Sequence, residues 1–298
     1  MLGHNLWTRL VAISVPCAAA LAASFAIVVL RRRRRYRLPP PTSNGCFGIV
    51  VGSSPPDCLR RLELTAFVVS TPFGSVTLHR AADPVGRGVS LILLYRHTPE
   101  TTTLATNINH RANIWALRAA GVTVLLLTSS VGVMSDDVPL WTPMLVEDLL
   151  MLENRLPDGS PCSFGEGYLI APGTSLFSTR LCTQLQEAWV ARHGKALRRV
   201  AYWYQLGPRV KTKVETRALL AMGAEVNSMT LGPEIVLANE LSMAVVAAGI
   251  GHVGATGFSR QETGVQASLQ CVDFSTVVEC FLSACDPLTP CESFLHRR

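Results

Sequence analysis

Four residues of types that bind anions stand at the ends of apolar runs in this sequence. Ser53 follows "FGIVVG" and Arg96 follows "VSLILLY". Ser129 follows "VTVLLLT", and Thr230 closes "AEVNSMT". An arginine fork can hold two oxygens of one anion, while hydroxyl groups and backbone N–H groups at glycine turns add further donors. Together these residues predict a site for a phosphate-like anion.

Each of these signals also has a simpler interpretation. Gly52-Ser53 can be only a tight turn, and Arg96-His97 can be a surface pair that caps the sheet. Ser129 and Ser130 can be a packed strand end. The anion site is therefore predicted by their joint occurrence, and it requires that the strand ends meet.

Apolar runs of strand length alternate with longer helix-like segments, which is typical of α/β proteins. In an open α/β sheet, ligands bind in the crevice outside the carboxyl ends of the strands. The four residues stand where such a crevice would form. The sequence predicts a hairpin within 62–81 and helices within 107–121, 178–194, 211–223, 232–242 and 274–285, and it leaves 136–173 unassigned.

The positive charge is concentrated at the N-terminus. Residues 1–37 contain seven of the 27 Lys and Arg residues and no acid, so the rest of the chain carries 20 cations against 21 acids. Nucleic-acid recognition usually needs a basic face on the folded part. We therefore expect no nucleic-acid partner.

The nine cysteines show no CxxC pairs. Cys271, Cys280, Cys285 and Cys291 cluster late in the chain, but no histidine joins them at zinc-finger spacing. Buried, reduced thiols are the better interpretation, and no metal site is predicted.

The uncharged run over residues 10–30 is followed by five consecutive arginines. As a helix it would span about 31 Å, close to the roughly 30 Å thickness of the bilayer core. By the positive-inside rule, it predicts a single-pass membrane anchor with the following domain in the cytosol. A cleaved signal or an organelle-targeting leader is the alternative. The predicted organisation is an anchor at 1–37, a proline-rich linker at 38–45 and a domain at 46–298.

Several motifs occur in an order that resembles the trimeric nucleoside phosphorylases, above all their methylthioadenosine phosphorylase branch. They are "FGIVVGSS", "STPFGSV", "YRHT" with "NINHRANIWALRAAGV", "LLTSSVG" and the long block "GPRVKTKVETRALLAMGAEVNSMTLGPEIVLANE". The similarity covers roughly residues 46–255. It implies a mixed central sheet flanked by helices. With the N-terminal run, the expected fold class is such a domain preceded by one transmembrane helix.

The resemblance also implies roles for individual residues. Phosphate would be held by Ser53, Arg96, His97, Ser129, Thr230 and the backbone amide of Ser130, and Met229 would pack under the ribose. The implied reaction is phosphorolysis of a purine nucleoside, with inorganic phosphate as co-substrate and no cofactor. The implied assembly is a homotrimer.

The base end of the implied site departs from the family pattern. Val253 and Ala255 stand where the resemblance places acidic residues that help the purine leave. His252 is the only ionisable residue nearby and is the candidate catalytic acid, since an imidazole titrates near neutral pH. A packed or surface histidine is the alternative. Lys211 replaces a base-binding Glu or a small hydroxyl residue, and we expect it to face solvent.

Three functions therefore remain open. The first is an active phosphorylase with an altered way of releasing the base. The second is a weak or inactive paralogue that binds nucleoside or phosphate, or serves as a partner subunit. The third is a membrane-tethered scaffold.

Overall fold

Strands of one mixed sheet form the centre of the domain, and helices pack against it. The computed structural model describes residues 45–52, 56–97, 104–165, 168–170, 175–254, 272–293 and 295–297, all within the unit Pro40–Arg298. For these residues, the predicted mixed α/β architecture is confirmed.

Strands and helices alternate in the second half of the domain, whereas two groups of three consecutive strands stand in the first half. The strands are β1 (Phe47–Val51), β2 (Thr65–Thr71), β3 (Gly74–Ala81), β4 (Leu91–Tyr95), β5 (Val124–Val133), β6 (Pro143–Leu150), β7 (Tyr168–Ile170), β8 (Arg198–Tyr204), β9 (Val226–Ser228), β10 (Ala244–Gly254) and β11 (Leu295–Arg297). The helices are α1 (Asp57–Arg60), α2 (His110–Ala119), α3 (Thr179–His193), α4 (Lys213–Ala221), α5 (Leu231–Glu240) and α6 (Ser275–Ala284).

Within the described residues, nine strands pair in the order β10-β6-β8-β9-β5-β1-β4-β3-β2. An additional pairing of β10 with β5 closes β5, β9, β8, β6 and β10 into a ring. The strands β7 and β11 pair separately in an antiparallel arrangement.

The parallel strands bring their carboxyl ends to one edge of the sheet. β1 pairs in parallel with β4 and β5, and β5 pairs in parallel with β10. Val51 lies opposite Tyr95, and Val50 lies opposite Leu127. The end of β1, Arg96 after β4 and Ser129 within β5 therefore lie at one level of the sheet. Thr230 reaches this level in another way, because the preceding strand β9 pairs antiparallel with β5.

The central strands form the core because they are apolar on both faces. Every residue of β1 is buried, and β4 and β5 are buried over most of their lengths. Parallel strands covered on both faces read as continuous apolar runs, which is why the sequence located them correctly.

Side-chain caps fix the starts of three helices. Asn109 accepts a hydrogen bond from the Ala112 amide at the start of α2, and Ser178 caps α3 in the same way. Thr212 and Glu215 form a reciprocal capping box at the start of α4. Such caps satisfy backbone N–H groups that would otherwise lack a partner, so these helices begin close to where the sequence places them.

Strand β6 lies in the segment that the sequence left unassigned. Its "PMLVEDLL" sequence loses the apolar pattern at Glu147 and Asp148, whose side chains are exposed. The pairing with β8 shifts register between Val146 and Asp148. Because a register shift interrupts the alternation of the two strand faces, periodicity alone could not identify this strand.

The expected transmembrane helix over residues 10–30 lies outside the described residues. In the part of the chain that the structure describes, none of the helices is both long enough and apolar enough to cross a membrane. The 15-residue α3 would span only about 22 Å, and it carries charged side chains. This finding corrects the predicted fold class, which included such a helix, and the single-pass membrane location is withdrawn with it.

Gly48 allows β1 to pack closely against its neighbours. A Cβ at this position would come within 2.6 Å of Val122 Cγ1 and 2.9 Å of Leu125 Cδ1. We expect Gly48→Ala to lower the free energy of unfolding by about 1–3 kcal/mol, because these buried side chains have little room to move. Guanidinium chloride unfolding of the full chain measures this change.

Gly254→Ala is the matched control, since no atom of the described residues other than its chain neighbours lies within 4 Å of its Cβ position. That variant should stay within about 0.5 kcal/mol of the wild type. An equal effect of the two substitutions would contradict the packing argument.

Candidate functional site

Arg96 lies directly after β4, and its guanidinium is buried. Its Nε and Nη2 donate to the two carboxylate oxygens of Glu234 at 2.6 and 2.7 Å, and its Nη1 donates to the Thr128 carbonyl at 3.0 Å. The residue is 4% exposed, and Glu234 is 0% exposed. The bidentate pair fixes the plane of the guanidinium and connects β4 to α5.

The ion pair leaves Arg96 partly available to a ligand. A guanidinium has five N–H groups, and the contacts with Glu234 and Thr128 use three of them. Glu234 also balances the buried positive charge, without which the cation would be costly to bury. Counting only contacts with described residues, Arg96 is therefore an oriented donor with two further N–H groups.

Three hydroxyl groups form a cluster beside this pair. Ser129 Oγ lies 3.1 Å from Ser228 Oγ and 3.2 Å from Thr230 Oγ1, which are 3.3 Å from each other. Tyr202 Oη lies 2.9 Å from Ser228 Oγ and also donates to the Ser228 carbonyl. The structure thus brings together Ser129 and Thr230, two residues that are 101 positions apart in the sequence.

The N-terminus of α5 points donors toward the same region. Thr230 is the residue before the helix, and its side chain does not cap it. Because the first turn of a helix has unpaired N–H groups and a partial positive charge, this end favours an anion. The same first turn carries Glu234, so one helix positions both the Thr230 hydroxyl and Arg96.

The other predicted phosphate ligands take different positions. Ser53 lies outside the described residues, but the preceding Gly52 is close to the site, since a Cβ there would lie 3.3 Å from Arg96 Nη1. Ser130 lies on β5 opposite Ile250. His97 follows Arg96 and is half-buried.

His110 is a buried group that the sequence did not identify. It begins α2, and its Nδ1 lies 3.8 Å from Glu234 Oε1, beyond hydrogen-bond distance. The pKa of His110 is lowered to about 4, chiefly because the side chain is buried; Glu234 opposes this shift, and Arg96 and His97 add to it. The imidazole is therefore neutral at pH 7.

His252 lies on β10, at the point where the pairing with β5 shifts register between Gly251 and Val253. Burial lowers its pKa, and a hydrogen bond with the Val131 backbone opposes the shift. Among the described residues, Nδ1 of His252 has no hydrogen-bond partner. A histidine with a lowered pKa is mostly neutral at pH 7, which makes it a poor proton donor there.

Met229 lies between the hydroxyl cluster and the loop that follows β8. Its Sδ is 2.7 Å from the position that a Cβ would take on Gly207, and the Thr106 methyl group is 3.2 Å from that position. Met229 is half-buried. Met229 therefore forms part of the floor of the candidate site, next to the hydroxyl cluster.

Lys211, which the sequence predicted to face solvent, is only partly exposed. Its Nζ donates to Asn227 Oδ1 at 2.6 Å, and Asn227 Nδ2 donates to Gln205 Oε1 at 2.9 Å. Burial lowers the pKa of Lys211 to about 8, and Glu215 opposes this shift. Lys211 also lines a cleft of about 340 Å³, together with Gln205 and Arg209.

The thiols of this domain are not arranged for chemistry. The seven cysteines that the structure describes are free, and burial raises the pKa of Cys162, Cys182 and Cys285 to about 12. Within the described ranges, no group of three or more His, Cys, Asp or Glu residues could hold a metal ion. The polar chemistry of the described domain is therefore concentrated at the strand ends.

These features define an α/β domain with a cluster of hydroxyl groups and a buried arginine at one edge of its central sheet. Residues 47–255 match the model of the Phosphorylase superfamily. The match covers well over half of the 298 residues, and the chain belongs to this superfamily. The resemblance inferred from the sequence motifs is confirmed.

Curated relatives place the chain at a considerable distance within the superfamily. It is 30% identical over 202 residues to an S-methyl-5′-thioadenosine phosphorylase of Danio rerio, covering 66% of this chain and 71% of the relative. It is 29% identical over 225 residues to a probable 6-oxopurine nucleoside phosphorylase of Thermococcus kodakarensis, covering 71% and 80%. The chain is thus a divergent member, as predicted.

Solved structures share the fold. The methylthioadenosine phosphorylase of Schistosoma mansoni in complex with adenine superposes with a TM-score of 0.68 at 22% identity. The superposition covers 80% of this chain and 89% of that chain.

Neutral, buried His110 should make stability depend on pH. Its pKa is lower in the folded chain, about 4, than the ordinary value of 6.5, so the unfolded chain binds the proton more readily. Stability should fall as the pH drops below about 6.5 and level off below about 4, by up to about 3 kcal/mol. Urea unfolding at pH 7, 5.5 and 4.5 measures this loss.

His110→Phe is the comparison, because it keeps a ring of similar size but cannot titrate. Other groups titrate equally in both proteins, so the difference between their pH profiles isolates His110. Parallel profiles of the wild type and His110→Phe would contradict the assignment.

Proposed function

We propose that this chain catalyses phosphorolysis of a purine nucleoside, with inorganic phosphate as co-substrate and no metal or organic cofactor. The products are the free base and a pentose 1-phosphate. The observation that carries the proposal is the meeting of Arg96, Ser129 and Thr230 at one edge of a phosphorylase-superfamily fold.

Phosphate would lie between Arg96 and the N-terminus of α5. The two remaining N–H groups of Arg96, the hydroxyl groups of Ser129 and Thr230, and the first amides of α5 supply donors from several directions. The amide of Ser130 and the side chains of His97 and Ser53 complete the proposed ligand set. Because Glu234 already orients Arg96, little rearrangement is needed when phosphate binds.

The chemistry follows from holding an anion next to a sugar. An oxygen of phosphate attacks C1′ as the bond from C1′ to the base nitrogen breaks, and the base takes the electron pair. C1′ develops partial positive charge during this step, and a fixed phosphate stabilises that charge. Positioning the two reactants supplies much of the remaining rate acceleration. Met229 would pack under the sugar, on the floor beside the hydroxyl cluster.

A methylthioadenosine-like nucleoside is the first candidate substrate. Several relatives are named as S-methyl-5′-thioadenosine phosphorylases, including those of Danio rerio and Xenopus tropicalis. A homotrimer, as the resemblance implies, is the proposed assembly, and multi-angle light scattering of the purified protein tests it. The comparisons do not favour the alternative of a weak or inactive paralogue.

The direct test is release of free base by the purified chain. Methylthioadenosine, adenosine and inosine are each incubated with and without phosphate, and free base and pentose 1-phosphate are measured by chromatography. Phosphate-dependent formation of both products in equal amounts is expected. No release from any nucleoside would overturn the proposal.

Removal of the guanidinium tests the phosphate site. We expect Arg96→Met to lower kcat/KM for phosphate at least about a hundredfold, because hydrogen bonds to charged groups contribute about 1.5–3 kcal/mol each. Initial rates at varied phosphate concentrations give this value. Arg61→Met is the matched control, since Arg61 is an exposed arginine at the end of α1. Equal kinetics for the two variants would contradict the role of Arg96.

A further inference from the structure

Lys211 is a half-buried amine that the proposed phosphate site does not use. Its Nζ donates to Asn227 Oδ1, and the Asn227 amide group is held in turn by Gln205. Gln205 Nε2 donates to the Arg209 carbonyl before Lys211, and Thr212 after it forms the capping box with Glu215, so the chain is held on both sides of Lys211. Among its described contacts, one hydrogen bond uses one of the three ammonium N–H groups, which leaves two donors at a defined place.

Lys211 lies on the side of the proposed phosphate site toward which the base of a bound nucleoside would extend. Asn227 directly precedes Ser228 of the hydroxyl cluster and pairs with Gly132 of β5. Gly132 follows Ser129 by three residues, which is about 10 Å along a strand. Met229 packs against Gly207, in the loop that leads to Lys211. A nucleoside that has its sugar over Met229 and phosphate at Ser129 can therefore extend its base toward Lys211.

Phosphorolysis needs a donor at that end. The departing base takes the electron pair of the glycosidic bond, and a proton or a strong hydrogen bond at a ring nitrogen stabilises it. His252, the donor expected from the sequence, is mostly neutral at pH 7 because burial lowers its pKa. Lys211, by contrast, carries a positive charge at pH 7. Its partner Asn227 directly precedes Ser228 of the hydroxyl cluster.

We propose that the Lys211 ammonium protonates the leaving base. As the bond from C1′ to nitrogen breaks, the base accepts a proton from Nζ, which becomes a neutral amine. The amine then regains a proton from solvent through the cleft of about 340 Å³ that it lines. This assignment rests on the proposed phosphorolysis and makes Lys211 a catalytic residue.

The surroundings of Lys211 suit a proton donor. Burial lowers its pKa to about 8, close to working pH, where a general acid is most effective. The charged groups near it are Glu215 and Arg209, which pair with each other at 2.6 and 2.8 Å, and Glu153, which lines the same cleft. Asn227 and Gln205 are neutral, so no carboxylate binds the ammonium directly among its described contacts.

N7-methylated nucleosides provide the test, because their bases leave as neutral molecules and need no proton. Methylthioadenosine and inosine are each compared with their N7-methylated derivatives, using the wild type and Lys211→Met. We expect Lys211→Met to lower kcat by about 10²–10⁴ for the unmethylated nucleosides and less than about tenfold for the methylated ones. In the wild type, kcat for the unmethylated nucleosides should fall as the pH rises through about 8.

Two further variants separate this role from a structural one. Lys195→Met removes an exposed lysine in the loop before β8 and should change no rate. Lys211→Arg keeps the positive charge but does not release its proton. Like Lys211→Met, it should therefore lose more activity on the unmethylated nucleosides than on the methylated ones. It replaces Lys211→Met if that variant does not fold, which circular dichroism shows.

The outcomes distinguish the two proposals. Equal losses on methylated and unmethylated nucleosides, or no loss, would overturn the role of Lys211 while phosphorolysis stands. A wild type that cleaves only methylated nucleosides would likewise overturn the role of Lys211 while phosphorolysis stands. A wild type that cleaves neither kind would overturn the proposed phosphorolysis, and the role of Lys211 with it.

Discussion

The buried pair of Arg96 and Glu234 is the interaction on which the site depends. It connects the end of β4 to the first turn of α5, and the same helix start carries Thr230 into the hydroxyl cluster. A buried ion pair adds little net stability, but loss of one partner leaves an unbalanced charge that is costly in the interior. The pair therefore contributes orientation more than stability, and it keeps a cation fixed where an anion can reach it.

Two other polar groups of the domain, His252 and Lys211, differ in what burial does to their charge. Burial lowers the pKa of both His252 and Lys211, but from different ordinary values. A histidine moved down from 6.5 loses its charge at neutral pH, whereas a lysine moved down to about 8 keeps it and becomes a better acid. The same desolvation thus removes one candidate donor and creates another.

Much of the fold was predictable from local patterns. Buried parallel strands are continuous apolar runs, and the capped helices begin at side chains that bind their own backbone, such as Asn109 and Thr212. Strand β6 was missed because its register shift breaks the alternation of apolar and polar residues. Of the site, Ser129 and Thr230 were identified correctly as neighbours, but not because two strand ends meet. Ser129 lies within β5, and β9 pairs antiparallel with β5, so the residues after β9 run back along β5 to Ser129. Glu234, His110, Ser228 and Tyr202 were not identified, because nothing local indicates that they contact the site.

The sequence by itself determined the class of fold, the family and the residue types that could bind an anion. These properties depend on periodicity and on short motifs, which are local along the chain. Only the tertiary structure decided which donors are free to act. The partner of Arg96 lies 138 residues away, and Lys211 is bound to Asn227, 16 residues later, across a buried network. Charge state and orientation depend on burial and on distant partners, and neither can be read from neighbouring residues.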